Sequence, residues 1–278
     1  MPSAASTYRL AGKDIWAAVR IVKRNPNMVA GLIITLIMGL MAITAPLISR
    51  EDPMALNTRQ RLEPPSAQNW FGKDHFGRDV YARAIFGSRL SLIVGGSVSI
   101  ITLLAGTVIG LVAGYFRKLD TPVMRVMDGL MSIPGILLAI ALMALLGASL
   151  QNVIIALSVT YTPAVSRLAR SSVLSLRNQP FVESATAIGA SSLRIILRHI
   201  LPNAIAPLIV QGTFIVASSM LVEAALSFLG AGLPPDIPSW GNMIADGRQF
   251  LRQAVWIIAF PGVFLTLTVL GVNLVGDG

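Results

Sequence analysis

Residues 129–166 form a run of 38 positions without a single Asp, Glu, Lys or Arg. As one helix rising 1.5 Å per residue the run would measure about 57 Å, nearly twice the ~30 Å of hydrocarbon in a bilayer. It must therefore turn, and Gly147-Ala-Ser-Leu-Gln-Asn152 supplies turn residues near its middle. Two spans and a tight hairpin follow. Uncharged stretches at 25–49, 90–116, 199–222 and 253–276 each accommodate one more helix, the third of them running on past a lone Glu223. These apolar runs do not alternate as lipid-facing barrel strands must. The pattern predicts an all-α polytopic membrane protein with six transmembrane helices, at about 28–48, 90–115, 129–147, 152–168, 204–229 and 254–276. A segment 1–27 precedes a single transmembrane domain, 28–278, in which 169–203 forms a long loop.

Composition agrees. The chain is 54% hydrophobic and 13% charged, against about 25% charged in a soluble domain. The formal net charge of +9 would suggest nucleic acid in a soluble protein. Here Lys and Arg sit in loops beside anionic lipid, and no loop has the length or aromatic interleaving to grip bases, so no nucleic-acid partner is expected. With the N-terminus inside, the inner segments hold thirteen Lys and Arg and the outer segments nine. That bias predicts a cytoplasmic N-terminus. The basic N-terminal segment leads into an apolar run too long for a signal peptide and without a small-residue cleavage site, so it reads as an uncleaved first span. Ile15, Trp16, Val19 and Val22 fit one apolar face of a helix lying on the inner surface.

Several chemistries are excluded. There is no cysteine, hence no disulfide, thiolate catalyst or Cys-based metal site. His75 and His199 are the only histidines and lie far apart, so no metal site is expected. No Gly-x-x-x-x-Gly-Lys-[Ser/Thr] loop is present, so the chain has no phosphate cradle of that kind, and energy must come from a partner or an ion gradient.

Gly106, Gly110 and Gly114 recur four apart and predict a close packing face. Pro134, Pro163, Pro207 and Pro261 each free a carbonyl and can kink a span. Glu223, ionisable and deep within a candidate span, is read either as a contact to the translocation path or as a structural group near the helix end paired with an arginine. The loop from 167 to 202 reads as two short helices. Glu183 suits the first helix N-terminus, Gly189 breaks that helix, Ser191 or Ser192 caps the second, and Pro202 marks the junction with the fifth span. A knob of this kind on the inner face is built to touch something there. In the outer segments Gly77-Arg78-Asp79 sets opposite charges in a turn, Pro234, Pro235 and Pro238 stiffen the last loop, and Trp240 suits the headgroup level.

At Glu183-x-Ala185-x-x-x-Gly189 followed by Leu201-Pro202, the chain resembles the cytoplasmic loop signature of ABC importer permeases. Ser184 stands where that family commonly has a second Ala, and His199 where it often has Ile. Trp70-Phe-Gly-Lys-Asp-His-Phe-Gly-Arg-Asp79 with Arg83, Gly87 and Arg89, the stretch 225–235, Pro238-Ser-Trp-Gly241 and the ending 273–278 are similar to the second, C-type subunit of dipeptide, oligopeptide and nickel permeases. The likeness covers nearly the whole chain from Asn25. It implies a type I ABC importer permease fold in the bacterial inner membrane, surrounded by lipid and without catalysis. It also implies that 169–203 couples to an ATPase through Glu183, Ala185, Gly189, Leu201 and Pro202. A homologous permease, two ATPase subunits carrying ATP and Mg, and an extracytoplasmic substrate-binding protein are the implied partners. Gly77, Arg78, Asp79, Pro235 and Trp240 are implied contacts of the binding protein. Di- or oligopeptides are the implied cargo, with nickel complexes, glutathione or opines as alternatives. Such subunits usually continue with a short charged tail, so a trimmed C-terminus is expected. A proton-driven transporter would need more intramembrane carboxylates than Glu223. A channel would need a selectivity filter, and an intramembrane enzyme a catalytic cluster.

Overall fold

In the computed structural model, residues 25–49 and 51–278 are described. The apolar face expected at 14–23 and most of the 1–27 segment lie outside them. Ten α-helices account for most of the described residues, with one isolated β-bridge, Lys73 to Asp79. They are α1 Pro26–Ile48, α2 Val80–Tyr115, α3 Arg117–Met131, α4 Gly135–Leu146, α5 Leu150–Leu176, α6 Pro180–Ala187, α7 Ser192–Ile195, α8 Leu201–Phe228, α9 Trp240–Gly247 and α10 Trp256–Asp277.

Among the described residues, four continuous helices are long and apolar enough to cross a membrane: α1, α2, α10 and the unbroken run Ser192–Phe228. α3 and α4 would together add a fifth, but they meet at 89°. The span expected at 129–147 is therefore not one straight helix. Pro134 has no N–H to continue the ladder and disfavours a helical Ile133; Ser132 instead returns its hydroxyl to the Gly129 carbonyl at 2.7 Å. α4 has twelve residues, about 18 Å, short of the hydrocarbon thickness. α2 begins ten residues before the expected span, capped by the Asp79 carboxylate, which accepts from Ala82 N at 2.7 Å. α5 continues eight residues beyond its expected end and carries Arg167 and Arg170, so the long loop starts later than 169.

The hairpin between α4 and α5 forms where the turn residues stand. Gly147 takes φ +85°, a conformation that costs glycine little. Ser149 caps α5 by accepting from Asn152 N, and Asn152 Nδ2 donates to the carbonyls of Leu146 at 2.7 Å and Gly147 at 3.0 Å. α2 and α5 form the central seam. A Cβ on Gly106 would lie 2.6 Å from that of Val165, one on Gly110 would overlap the Ser166 carbonyl, and one on Gly114 would lie 2.8 Å from the Val173 Cβ. Only glycine permits this approach. Asp120 pairs with Arg170, and Asp128 with Arg167 at 2.6 Å, clipping α3 to α5. Around the seam Val94, Val98, Val153, Leu157 and Ile215 are fully buried, while Leu36, Ile43 and Leu47 of α1 are exposed as a lipid-facing helix requires.

Candidate functional site

The two ends of the bundle are built on different principles. At one end the chain leaves α5 at Leu176 and makes a sharp corner. α6 buries Val182 and Ala185 against Ile195, Ile196 and Ile200. It ends in a Schellman motif: Ala190 N donates to Ala185 O, Gly189 N donates to Thr186 O, both at 3.0 Å, and Gly189 has φ +82°. Ser191 then caps α7 by accepting from Arg194 N. α7 runs into α8 through a π-helical turn at Ile196–Ile200, where Leu201 N reaches back five residues to Ile196 O. Pro202 cannot donate, and Asn203 Nδ2 covers the His199 carbonyl at 2.7 Å. Pro202 stands in the first turn of α8, at the junction that the sequence suggests, and the π-turn keeps the backbone helical across it.

Of the five residues expected in this loop, Ala185 is buried and Leu201 half-buried against the same apolar cluster, while Glu183, Gly189 and Pro202 are exposed. They sit within one corner but on different faces. The outward surface is apolar, with Ile188 86% exposed, Leu193 66% and Leu197 52%.

The opposite end is a buried ionic knot. Lys73, 2% exposed, donates to Glu51 at 2.6 Å and lies 3.5 Å from Asp79. Asp74 accepts from the backbone N–H groups of Phe76 and Arg78 and from Arg78 Nε. Arg78 Nη2 also reaches Asp246 of α9 at 3.1 Å, and Arg83, 1% exposed, lies 3.9 Å from the same carboxylate. Gly77, at φ +74°, sits against the Asn57 carbonyl with no space for a Cβ. Trp240 is fully buried and donates to the Ala84 carbonyl at 2.8 Å. Phe71 stacks on Phe260, and Trp256 donates to the Lys73 carbonyl.

This corrects the reading of the outer segments. Gly77, Arg78, Asp79 and Trp240 are internal framework, not surface contacts; only Pro235 of that set is exposed. Arg78 and Asp79 are not an exposed pair either, since Arg78 joins Asp74 and Asp246 while Asp79 caps α2. His75 stacks on Phe250 with ring centroids 5.0 Å apart. Burial holds its pKa below the ordinary value, outweighing the pull of Asp74 and Asp246.

Glu223 is buried near this end of α8. Its Oε1 accepts from Ser227 and Ser239 hydroxyls at 3.0 and 3.2 Å, and its Oε2 has no hydrogen-bond partner. Among the described residues no arginine pairs with it, unlike the structural alternative read from the sequence. It links α8 to the start of α9 instead. Asp246 was missed as a partner of Arg78 because 168 residues separate them and neither residue carries a local signal for the other.

The corner, Glu223 and α9 all lie within residues 106–278, which match the sequence model of the binding-protein-dependent transport system inner membrane component. The chain belongs to this family. Residues 14–65 match a second model, the N-terminal TM domain of oligopeptide transport permease C. The dipeptide transport system permease protein DppC of Alkalihalophilus pseudofirmus is 45% identical over 99% of this chain and 89% of its own length. The oligopeptide transport system permease protein OppC of Bacillus subtilis is 37% identical over 92% and 84%. Among solved structures, an inward-facing MetNI methionine ABC transporter chain aligns at a TM-score of 0.59 and 20% identity, covering 70% of this chain and 93% of that one. That likeness concerns the fold alone. The chain is thus a C-type permease subunit of an ABC importer, a multi-pass inner-membrane component whose ATPase is a separate subunit.

Proposed function

We propose that this permease forms half of the translocation path of an importer for di- or oligopeptides. The corner between α5 and α8 is its ATPase-docking element, with the N-terminus cytoplasmic and six passes in all, α4 and α5 supplying the third and fourth. A homologous permease would complete the path. Two ATPase subunits would carry ATP and Mg, and a binding protein would deliver cargo at the knot end. The single observation that carries the docking assignment is the exposed Ile188 and Leu193 tip on a corner fixed by a Schellman motif and fused to a membrane-crossing helix. Exposed apolar side chains on so small a knob fit a groove in a partner. The peptide cargo follows from the names of the relatives.

ATP-driven closure of the ATPases would move the corner, and the unbroken helix from Ser192 would carry that motion into the membrane as alternating access. Glu223 belongs to the scaffold in this reading, since both its hydroxyl partners lie within the chain. Glu223→Gln, which keeps an acceptor, should transport normally; loss of transport in a fully assembled complex would move Glu223 to the path.

The test is gentle purification of the tagged permease from its native membrane, for wild type and Gly189→Arg, beside uptake of a labelled dipeptide. Recovery of an ATPase and a second permease with wild type, and loss of the ATPase and of uptake with the variant, supports the reading. A wild-type chain that purifies alone and transports without ATP overturns it.

A further inference from the structure

Towards the knot end a groove of about 440 Å³ opens between α1 and α2. Its walls are Gly39, Ala42 and Ile43 of α1 and Leu92 and Ile93 of α2, and Arg89 lines it one turn nearer the knot. Farther down, α1 is pressed onto α10, where a Cβ on Gly31 would lie 2.7 Å from the Gly271 carbonyl oxygen. A Cβ on Gly39, by contrast, would meet nothing within 4 Å. The missing side chain leaves the gap. Ile43 is 74% exposed, Ile93 47% and Ile100, two turns farther along α2, 61%. Arg89 to Ile100 measures about 16 Å along the helix, the depth of one leaflet of a ~30 Å hydrocarbon core.

Arg89 is exposed and, among the described residues, takes part in no ion pair or hydrogen bond. Other helix arginines differ: Arg83 lies 3.8 Å from Asp74, and Arg167 and Arg170 pair with Asp128 and Asp120. The depth of Arg89 is set by α2. From Arg89 to Tyr115 the helix carries no charge and is about 39 Å long, close to the 40–45 Å of a bilayer with its headgroup layers. Arg117 and Lys118 follow at the far end, so Arg89 stands at headgroup level in the leaflet at the knot end.

We propose that Arg89 and this groove bind one phospholipid with a net negative headgroup, its phosphate on the guanidinium and one acyl chain lying between α1 and α2. The proposal rests on the membrane-crossing helices and not on the cargo or the energy source. A cation at the edge of the hydrocarbon is costly until a counter-charge meets it. The planar guanidinium presents a fork of donors that matches two phosphate oxygens. A zwitterionic headgroup brings its own ammonium to compete for that phosphate, whereas a net negative one leaves it to Arg89. The acyl chain supplies the dispersion contacts that Gly39 does not make, and the bound lipid ties α1 to α2.

The chain has no cysteine, so Ile43→Cys places a single dye on the wall of the groove. The labelled permease, purified with the subunits that accompany it, is reconstituted in phosphatidylcholine vesicles. A small fraction of the lipid is then replaced by phosphatidylglycerol or by phosphatidylcholine with brominated acyl chains, and quenching of the dye is read against that fraction. The expected result is half-maximal quenching at about fivefold less brominated phosphatidylglycerol than brominated phosphatidylcholine. Arg89→Gln should bring the two curves together. Arg252→Gln removes the same charge from an exposed residue outside the groove and should keep them apart. Equal quenching by both lipids in the parent protein overturns the site, and this comparison holds even where Arg89→Gln fails to assemble. A preference that survives Arg89→Gln also overturns it. No quenching by either lipid assigns the groove to a neighbouring subunit and overturns the proposal as well.

Discussion

The two ends of this bundle handle polar and apolar groups in opposite ways. At the knot end Lys73, Asp74, Arg78 and Arg83 are buried; Lys73 pairs with Glu51 and Asp79, Arg78 with Asp74 and Asp246, and Arg83 lies 3.8 Å from Asp74. At the corner end the charges face outward, and large apolar side chains such as Ile188 are exposed. A buried network of charges resists change, because moving one member strands the rest. A corner resting on a few buried apolar residues can move as a unit while keeping its own shape. The contrast suggests that one end is a fixed frame and the other a moving contact.

The comparison breaks first at Asp74. Asp74→Ala leaves Arg78 short of its nearest carboxylate and should cost about 3–5 kcal/mol. Thermal unfolding of the purified complex in detergent reads this, and a midpoint within a degree of wild type would show that the knot is no frame. Gly110→Leu attacks the α2–α5 seam that joins the two ends. Overpacking there should cost about 1–3 kcal/mol, seen as lower expression and a lower midpoint; wild-type values would mean the helices separate without penalty. Gly189→Ala should cost only about 1–2 kcal/mol, from the left-handed backbone, yet reduce ATPase recovery and uptake severely. Uptake falling no further than folded protein does would deny the corner its special role.

The smallest effect is expected from His75. Its pKa is lowered on folding, so the unfolded chain binds more protons as pH falls below about 6.5. Stability should therefore decline from near that pH down to the folded pKa and fall no further from this cause. His75→Gln should flatten the decline in a midpoint series from pH 7.5 to 5.5; an unchanged slope would assign it to other groups.

Local rules reached much of this in advance. The Asn152 hairpin, the glycine stripe, the Gly189 corner and the Ser191 cap each depend on residues within about a turn of one another, or on a repeat along one helix. What could not be read depends on distant partners. The pairing of Arg78 with Asp246 and the burial of Trp240 against Ala84 span more than 150 residues. The 89° bend at Ser132-Ile133-Pro134 was hidden for another reason. An uncharged run reports only what lipid tolerates, and a bend leaves that composition unchanged.

The π-turn at Ile196–Ile200 keeps the backbone continuous from the corner to Phe228, a rod of 37 residues and about 55 Å. Tilting such a rod by about 5° around one end sweeps the other through about 5 Å. The remote tip carries Ser227, hydrogen-bonded to Glu223, which in turn receives Ser239. Because that tip is tied into the fixed frame, the sweep falls at the corner, a stroke of roughly one helical turn from a tilt too slight to unpack the bundle.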